Sequence, residues 1–134
     1  LQQIQNSLAR LVTNSSIRGH ITPVLAELHW LPVRARIEYK VALLTYKAMT
    51  TERPTYIREL LRPHEPVRQL RSSSHFSLHD VGAKTVFGSR AFCHSAPKVW
   101  NSLPYSITDS FKSTSLASFK RQLKTYFYRK SFLL

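Results

Sequence analysis

The stretch Arg34-Ala35-Arg36-Ile37-Glu38-Tyr39-Lys40-Val41-Ala42-Leu43-Leu44-Thr45-Tyr46-Lys47-Ala48-Met49 runs without a glycine or a proline. Ile37, Val41, Leu44 and Ala48 recur in it at i, i+4, i+7 and i+11. That period predicts a helix with an apolar stripe turned towards a core. At about 100° per residue, Arg36, Lys40 and Lys47 fall within roughly 40° of one another. Tyr39 and Tyr46 flank them on one side and the apolar stripe lies on the other. Such a face suits a phosphate backbone, with a tyrosine ring stacking on a base or sugar. The same pattern also describes a solvated face along which lysine stems lie.

Outward from this helix, Leu1, Ile4, Leu8 and Leu11 predict an N-terminal helix over Leu1–Val12 with one apolar stripe. Asn14-Ser15-Ser16 and Gly19 interrupt it, and Thr22-Pro23 begins a short helix that stops at Pro32, after Trp30-Leu31. Downstream, Pro54 opens another short helix through Tyr56, Ile57, Leu60 and Leu61. Pro63, Pro66 and three consecutive serines then predict a linker over 63–74, in which Arg68 and Arg71 form a candidate phosphate clamp that orders on binding. Alternation of Phe76 and Leu78 with polar residues predicts a strand over 75–81, with 84–87 as its hairpin partner and Gly82 in the turn. Helical period returns with Phe92, Ala96, Val99 and Leu103, kinked or restarted at Pro97. The last helix has Leu116, Phe119, Leu123, Tyr126 and Phe127 on its apolar face, and Lys120, Arg121 and Lys124 beside it. The fold class expected is mainly α, a helical bundle-like unit with one small β-hairpin. Residues 1–62 and 75–134 are its candidate lobes.

Composition narrows the function. The 134 residues carry 20 Lys+Arg against 7 Asp+Glu, a net charge of +13, with 43% hydrophobic residues. The apolar content supports a core, and the charge points to a polyanionic partner, nucleic acid before an anionic membrane surface. The excess is uneven: residues 1–67 hold nine basic and five acidic side chains, residues 68–134 eleven and two. No apolar run approaches the roughly 20 residues that cross a bilayer, so no membrane is expected. One cysteine, Cys93, founds neither an internal disulfide nor a cysteine-rich zinc site and suits a reduced, intracellular setting. His75 and His79 stand four apart but lack further ligands at suitable spacing, and Cys93-His94 lacks an orienting third residue. Two scattered aspartates and five separate glutamates offer no clustered carboxylates for two-metal chemistry. No catalytic residue, metal or cofactor is therefore expected. The absence of an initial Met reads as a fragment of a longer protein.

Two signatures carry a family resemblance. One is His29-Trp30-Leu31-Pro32-Val33 with Arg36-Ile37-Glu38-Tyr39-Lys40. The other is Gly88-Ser89-Arg90-Ala91-Phe92 followed by Trp100-Asn101-Ser102-Leu103-Pro104. With Ile21-Thr22-Pro23-Val24-Leu25, Leu70-Arg71-Ser72 and Phe119-Lys120-Arg121-Gln122-Leu123-Lys124, nearly the whole chain resembles the C-terminal region of LINE-type (non-LTR) retrotransposon reverse transcriptases. The resemblance implies a segment just downstream of the polymerase palm, at or after the thumb. The catalytic carboxylates would lie in an upstream reverse transcriptase domain, which becomes a second partner. It also implies a nuclear or cytoplasmic location and RNA or an RNA/DNA hybrid as ligand. Where a Val-Pro-Arg-like basic run is expected before the Gly-x-Arg motif, the chain has Val81-Gly82-Ala83-Lys84-Thr85. The function expected is thus a non-catalytic nucleic-acid-binding module with Arg36, Lys40, Lys47, Arg68, Arg71, Lys120, Arg121 and Lys124 as contacts. Its alternative is a structural module that packs on the thumb and palm. Trp30 and Trp100, each followed by Leu-Pro, read as core anchors rather than stacking residues.

Overall fold

A computed structural model describes residues 1–65, 75–109 and 111–133. Among them the chain is mainly helical: α1 (Gln2–Thr13), α2 (Ile21–Glu27), α3 (Val33–Thr51), α4 (Thr55–Glu59), α5 (Phe92–Asn101), α6 (Tyr105–Thr108) and α7 (Leu116–Phe132), with a 3₁₀ turn at Gly88–Arg90. Contacts divide it into two compact units, Leu1–Tyr39 with Arg121–Leu134, and Lys40–Lys120. This division cuts across α3 and α7, and most of the 63–74 stretch lies outside the described residues.

In the first unit α1 packs on α2 with a face opposite in character to the one expected. Gln5 and Ala9 are buried, whereas Leu1, Ile4, Leu8 and Leu11 stand exposed, Leu11 at 78%. The reason lies in the turn between α2 and α3. Pro32 interrupts that backbone, and two amide side chains of α1 complete its hydrogen bonding. Gln5 Nε2 donates to the Leu31 carbonyl at 2.8 Å, and Gln2 Oε1 accepts from the Val33 N–H at 2.8 Å. Each of those backbone groups would cost about 1–3 kcal/mol if buried without a partner, a cost the two inward glutamines remove. Ala9, with no side chain beyond Cβ, lets the helix approach.

Both short helices of this unit end on a left-handed residue that is not glycine. Asn14 (φ 51°) closes α1, with the Ser15 N–H reaching the Arg10 carbonyl. His29 (φ 54°) follows α2, its N–H on Ala26 and the Trp30 N–H on Leu25. That pair of bonds is the Schellman pattern. Tyr128 of α7 holds the second cap, its ring stacked on His29 at 5.4 Å and its hydroxyl donating to the Ala26 carbonyl at 3.1 Å. Leu25, Leu31, Ala35, Leu123 and Phe127 complete the buried set.

The second unit is organised by aromatic rings. Trp100 of α5 is wholly buried, edge-on to Phe76 and Phe111 and stacked over Phe119. Tyr46 of α3 lies flat on Phe119 at 4.0 Å, with its hydroxyl on the Thr114 carbonyl. α5 continues through Pro97, which is buried inside it.

The stretch at 75–81 is extended but pairs elsewhere than expected. Leu78 forms an antiparallel bridge with Pro63, with the His64 N–H on Ser77 and the His79 N–H on Arg62. Asn101 then occupies the other edge: its Oδ1 accepts from the Leu78 N–H at 2.9 Å and its Nδ2 donates to the Leu78 carbonyl at 2.8 Å. An amide in this orientation supplies one rung of a ladder. The hairpin with 84–87 is replaced by a turn, because Thr85 binds the chain that follows it. Its Oγ1 accepts from the Gly88 N–H and its carbonyl from the Ser89 N–H. A Cβ at Gly88 would sit 2.9 Å from that hydroxyl, so glycine is what the turn accommodates.

Trp100→Ala should cost about 3–5 kcal/mol, and Asn101→Asp, which opposes two oxygens at Leu78, about 1–3 kcal/mol. Urea unfolding followed by circular dichroism reads both as lower midpoints, and an unshifted midpoint for Asn101→Asp would remove the amide clamp.

Candidate nucleic-acid interface

Arg36, Lys40 and Lys47 all stand exposed on α3. The helix buries Ala35, Ala42, Leu43, Thr45, Tyr46 and Ala48 instead of the Ile37/Val41/Leu44 stripe, and Ile37 is 57% exposed. The core face is therefore rotated from the expected one, and Tyr46 on it lies flat on the Phe119 ring. The rotation leaves Ile37 and Leu44 on the outer side, next to the cations.

It also reassigns the tyrosines. Tyr46, read as a stacking residue, is a core side chain with its ring covered by Phe119 and its hydroxyl bonded to Thr114. Tyr39 is half-buried, and desolvation holds its phenol above the ordinary value.

On α7, Lys120, Arg121 and Lys124 are exposed on the side away from Phe119, Leu123 and Phe127. None of these six α3 and α7 cations enters an ion pair among the described residues. The contrast is Glu38, which draws Arg34 at 3.4 Å and Lys130 at 3.6 Å; Lys130 also lies over the Tyr126 and Phe127 rings. The cations engaged locally are thus different ones from the six. Arg68 and Arg71 lie outside the described residues. Each triplet is a property of its own helix.

The other chemically suggestive residues have local partners. His75 Nδ1 lies 3.0 Å from Asp109 Oδ2 while its ring stacks on Tyr105 at 3.9 Å. His79 turns instead towards the His64 ring, at 6.2 Å. No group of three His, Cys, Asp or Glu side chains is placed to hold a metal ion among the described residues, and no helix there is long and apolar enough to cross a membrane. Trp100 is the core anchor its Leu-Pro context suggested, and Trp30 is half-buried. The reading of 84–87 as a strand concealed Phe87, which is 83% exposed. The signal was Thr85 three residues before Gly88, a spacing suited to a side-chain-closed turn.

No known protein family, curated protein or solved structure matches this chain.

Tyr39 generates a pH dependence. Its raised pKa means that the fold favours the protonated phenol. The associated stability is whole below the unfolded value of about 10 and is lost as pH climbs through the folded one. Alkaline titration by tyrosinate absorbance should show a late-ionising component that Tyr39→Phe removes. Persistence of that component in the variant would assign it to another tyrosine.

Proposed function

We propose that this chain is a non-catalytic, basic nucleic-acid-binding module, the C-terminal part of a LINE-type reverse transcriptase. It holds RNA or an RNA/DNA hybrid chiefly through phosphates. The observation that carries the reading is the exposure of all six described candidate cations, without carboxylate partners among the described residues, in a chain of net charge +13. Phosphate contacts position a protein on its ligand and need little base readout, which fits two helix faces that offer cations and few side-chain acceptors. The His29–Lys40 and Gly88–Pro104 signatures supply the family part of the proposal. Polymerisation belongs, on this reading, to an upstream domain.

A second reading has its own observation. The exposed Leu1, Ile4, Leu8 and Leu11 form an apolar stripe of the kind that another protein surface covers. It favours a structural module that packs on the thumb and palm, with its charge unused.

Fluorescence anisotropy of the purified chain against labelled RNA, across a salt series, separates the two. The binding module gives a linear fall of log affinity with log salt. Substituting Arg36→Glu with Lys40→Glu should flatten the slope by roughly 1.4 to 1.8 without loss of helicity, for two phosphate contacts. A folded chain that binds neither RNA nor hybrid at low salt would favour the packing module.

A further inference from the structure

We infer that Phe87 is a stacking platform for a base of single-stranded nucleic acid, with the Arg90 guanidinium on the adjoining phosphate. The inference rests on the nucleic-acid reading above and adds to it a strand state and a residue.

Phe87 is 83% exposed and its neighbour Val86 80%, more than the exposed Tyr56 and Tyr105. Exposure alone would mean little on a slack loop, but this turn is closed by its own hydrogen bonds. Beyond the two contacts of Thr85, Ser89 Oγ donates to the Val86 carbonyl at 2.7 Å and the Arg90 N–H to the Phe87 carbonyl at 3.1 Å. The aromatic ring is therefore presented to solvent by ordered backbone, so the ordering cost that weakens a flexible contact is already met.

The turn also sets its neighbour. Residues three apart in 3₁₀ geometry eclipse one another, and the Gly88–Arg90 turn begins directly after Phe87. Arg90, itself exposed, thus leaves the backbone on the same side of the turn as Phe87. A planar cation beside an open aromatic face matches a nucleotide, one part for the base and the other for its phosphate. Along the chain the sign is mostly kept: between Asp80, whose carboxylate accepts from the Gly82 N–H, and Asp109 it holds Lys84, Arg90 and Lys98 and no acidic residue. In a duplex the base faces are already stacked on one another, whereas a single strand offers them freely.

The test uses the whole chain, a labelled oligouridine and a labelled blunt-ended RNA duplex. Phe87→Ala should weaken oligouridine binding by about 5- to 150-fold, leave the duplex affinity and the salt slope unchanged, and be rescued by Phe87→Trp. Arg90→Gln should reduce the oligouridine salt slope by about 0.7. If wild type binds RNA with a steep salt dependence and Phe87→Ala binds oligouridine equally well, the platform is overturned while the nucleic-acid reading stands. Equal losses on both ligands overturn the single-strand preference. Wild type that binds neither ligand at low salt overturns both proposals. Vesicles of anionic lipid bound by wild type and released by Phe87→Ala, with oligouridine affinity unaltered, would reassign the turn to a membrane surface.

Discussion

Trp100 and Asn101 are consecutive residues on the last turn of one helix, and the second unit depends on the two contacts they make. The indole meets Phe76, Phe111 and Phe119, and through Phe119 the ordering extends to Tyr46 and the Thr114 carbonyl. Edge-to-face and offset contacts of this kind add direction to burial, since the ring quadrupoles favour only some mutual orientations. The amide of Asn101 meanwhile fixes the register of the extended segment that delivers Phe76, by bonding both backbone groups of Leu78. Packing and hydrogen bonding thus constrain the same segment from one point.

The first unit follows the same principle with different residues. Gln2 and Gln5 bond the backbone on either side of Pro32, where helix hydrogen bonding is broken. In both units an amide side chain completes a backbone that no strand or helix would complete. The energetic logic is asymmetric. An exposed leucine forgoes some burial, whereas a buried peptide group without a partner costs its full desolvation. In α1 the inward glutamines meet such backbone groups while Leu1, Ile4, Leu8 and Leu11 face out.

Charge is distributed on a separate rule. Twenty cations cannot be neutralised by seven carboxylates, and Glu38 shows how local the neutralisation is, drawing two cations within its own unit. The remaining positive groups on α3 and α7 face water, where their repulsion is screened. The exposed turn around Phe87 adds an aromatic ring to the apolar groups left in water, which include Leu1, Ile4, Leu8 and Leu11.

Helical class, most helix boundaries and the exposure of Arg36, Lys40, Lys47, Lys120, Arg121 and Lys124 were legible in the sequence, because periodicity and proline placement act over a few residues. Which face of α1 and of α3 is buried was not. Periodicity locates an apolar stripe but cannot weigh it against a distant carbonyl that needs an amide, nor against a ring that needs a flat neighbour. The pairing at Leu78 was illegible for the same reason: strand alternation predicts extended backbone, while its partners, Pro63 and Asn101, are chosen by three-dimensional closure. Tyr39 and Tyr46 occupy similar positions beside the basic face in sequence, and only burial against Phe119 makes Tyr46 a core residue. The sequence by itself determined the charge, the helices and the outward cations, all properties of local spacing. Tertiary structure alone decided which side chains satisfy buried backbone and which aromatics remain in water, since those outcomes depend on groups far apart in the chain.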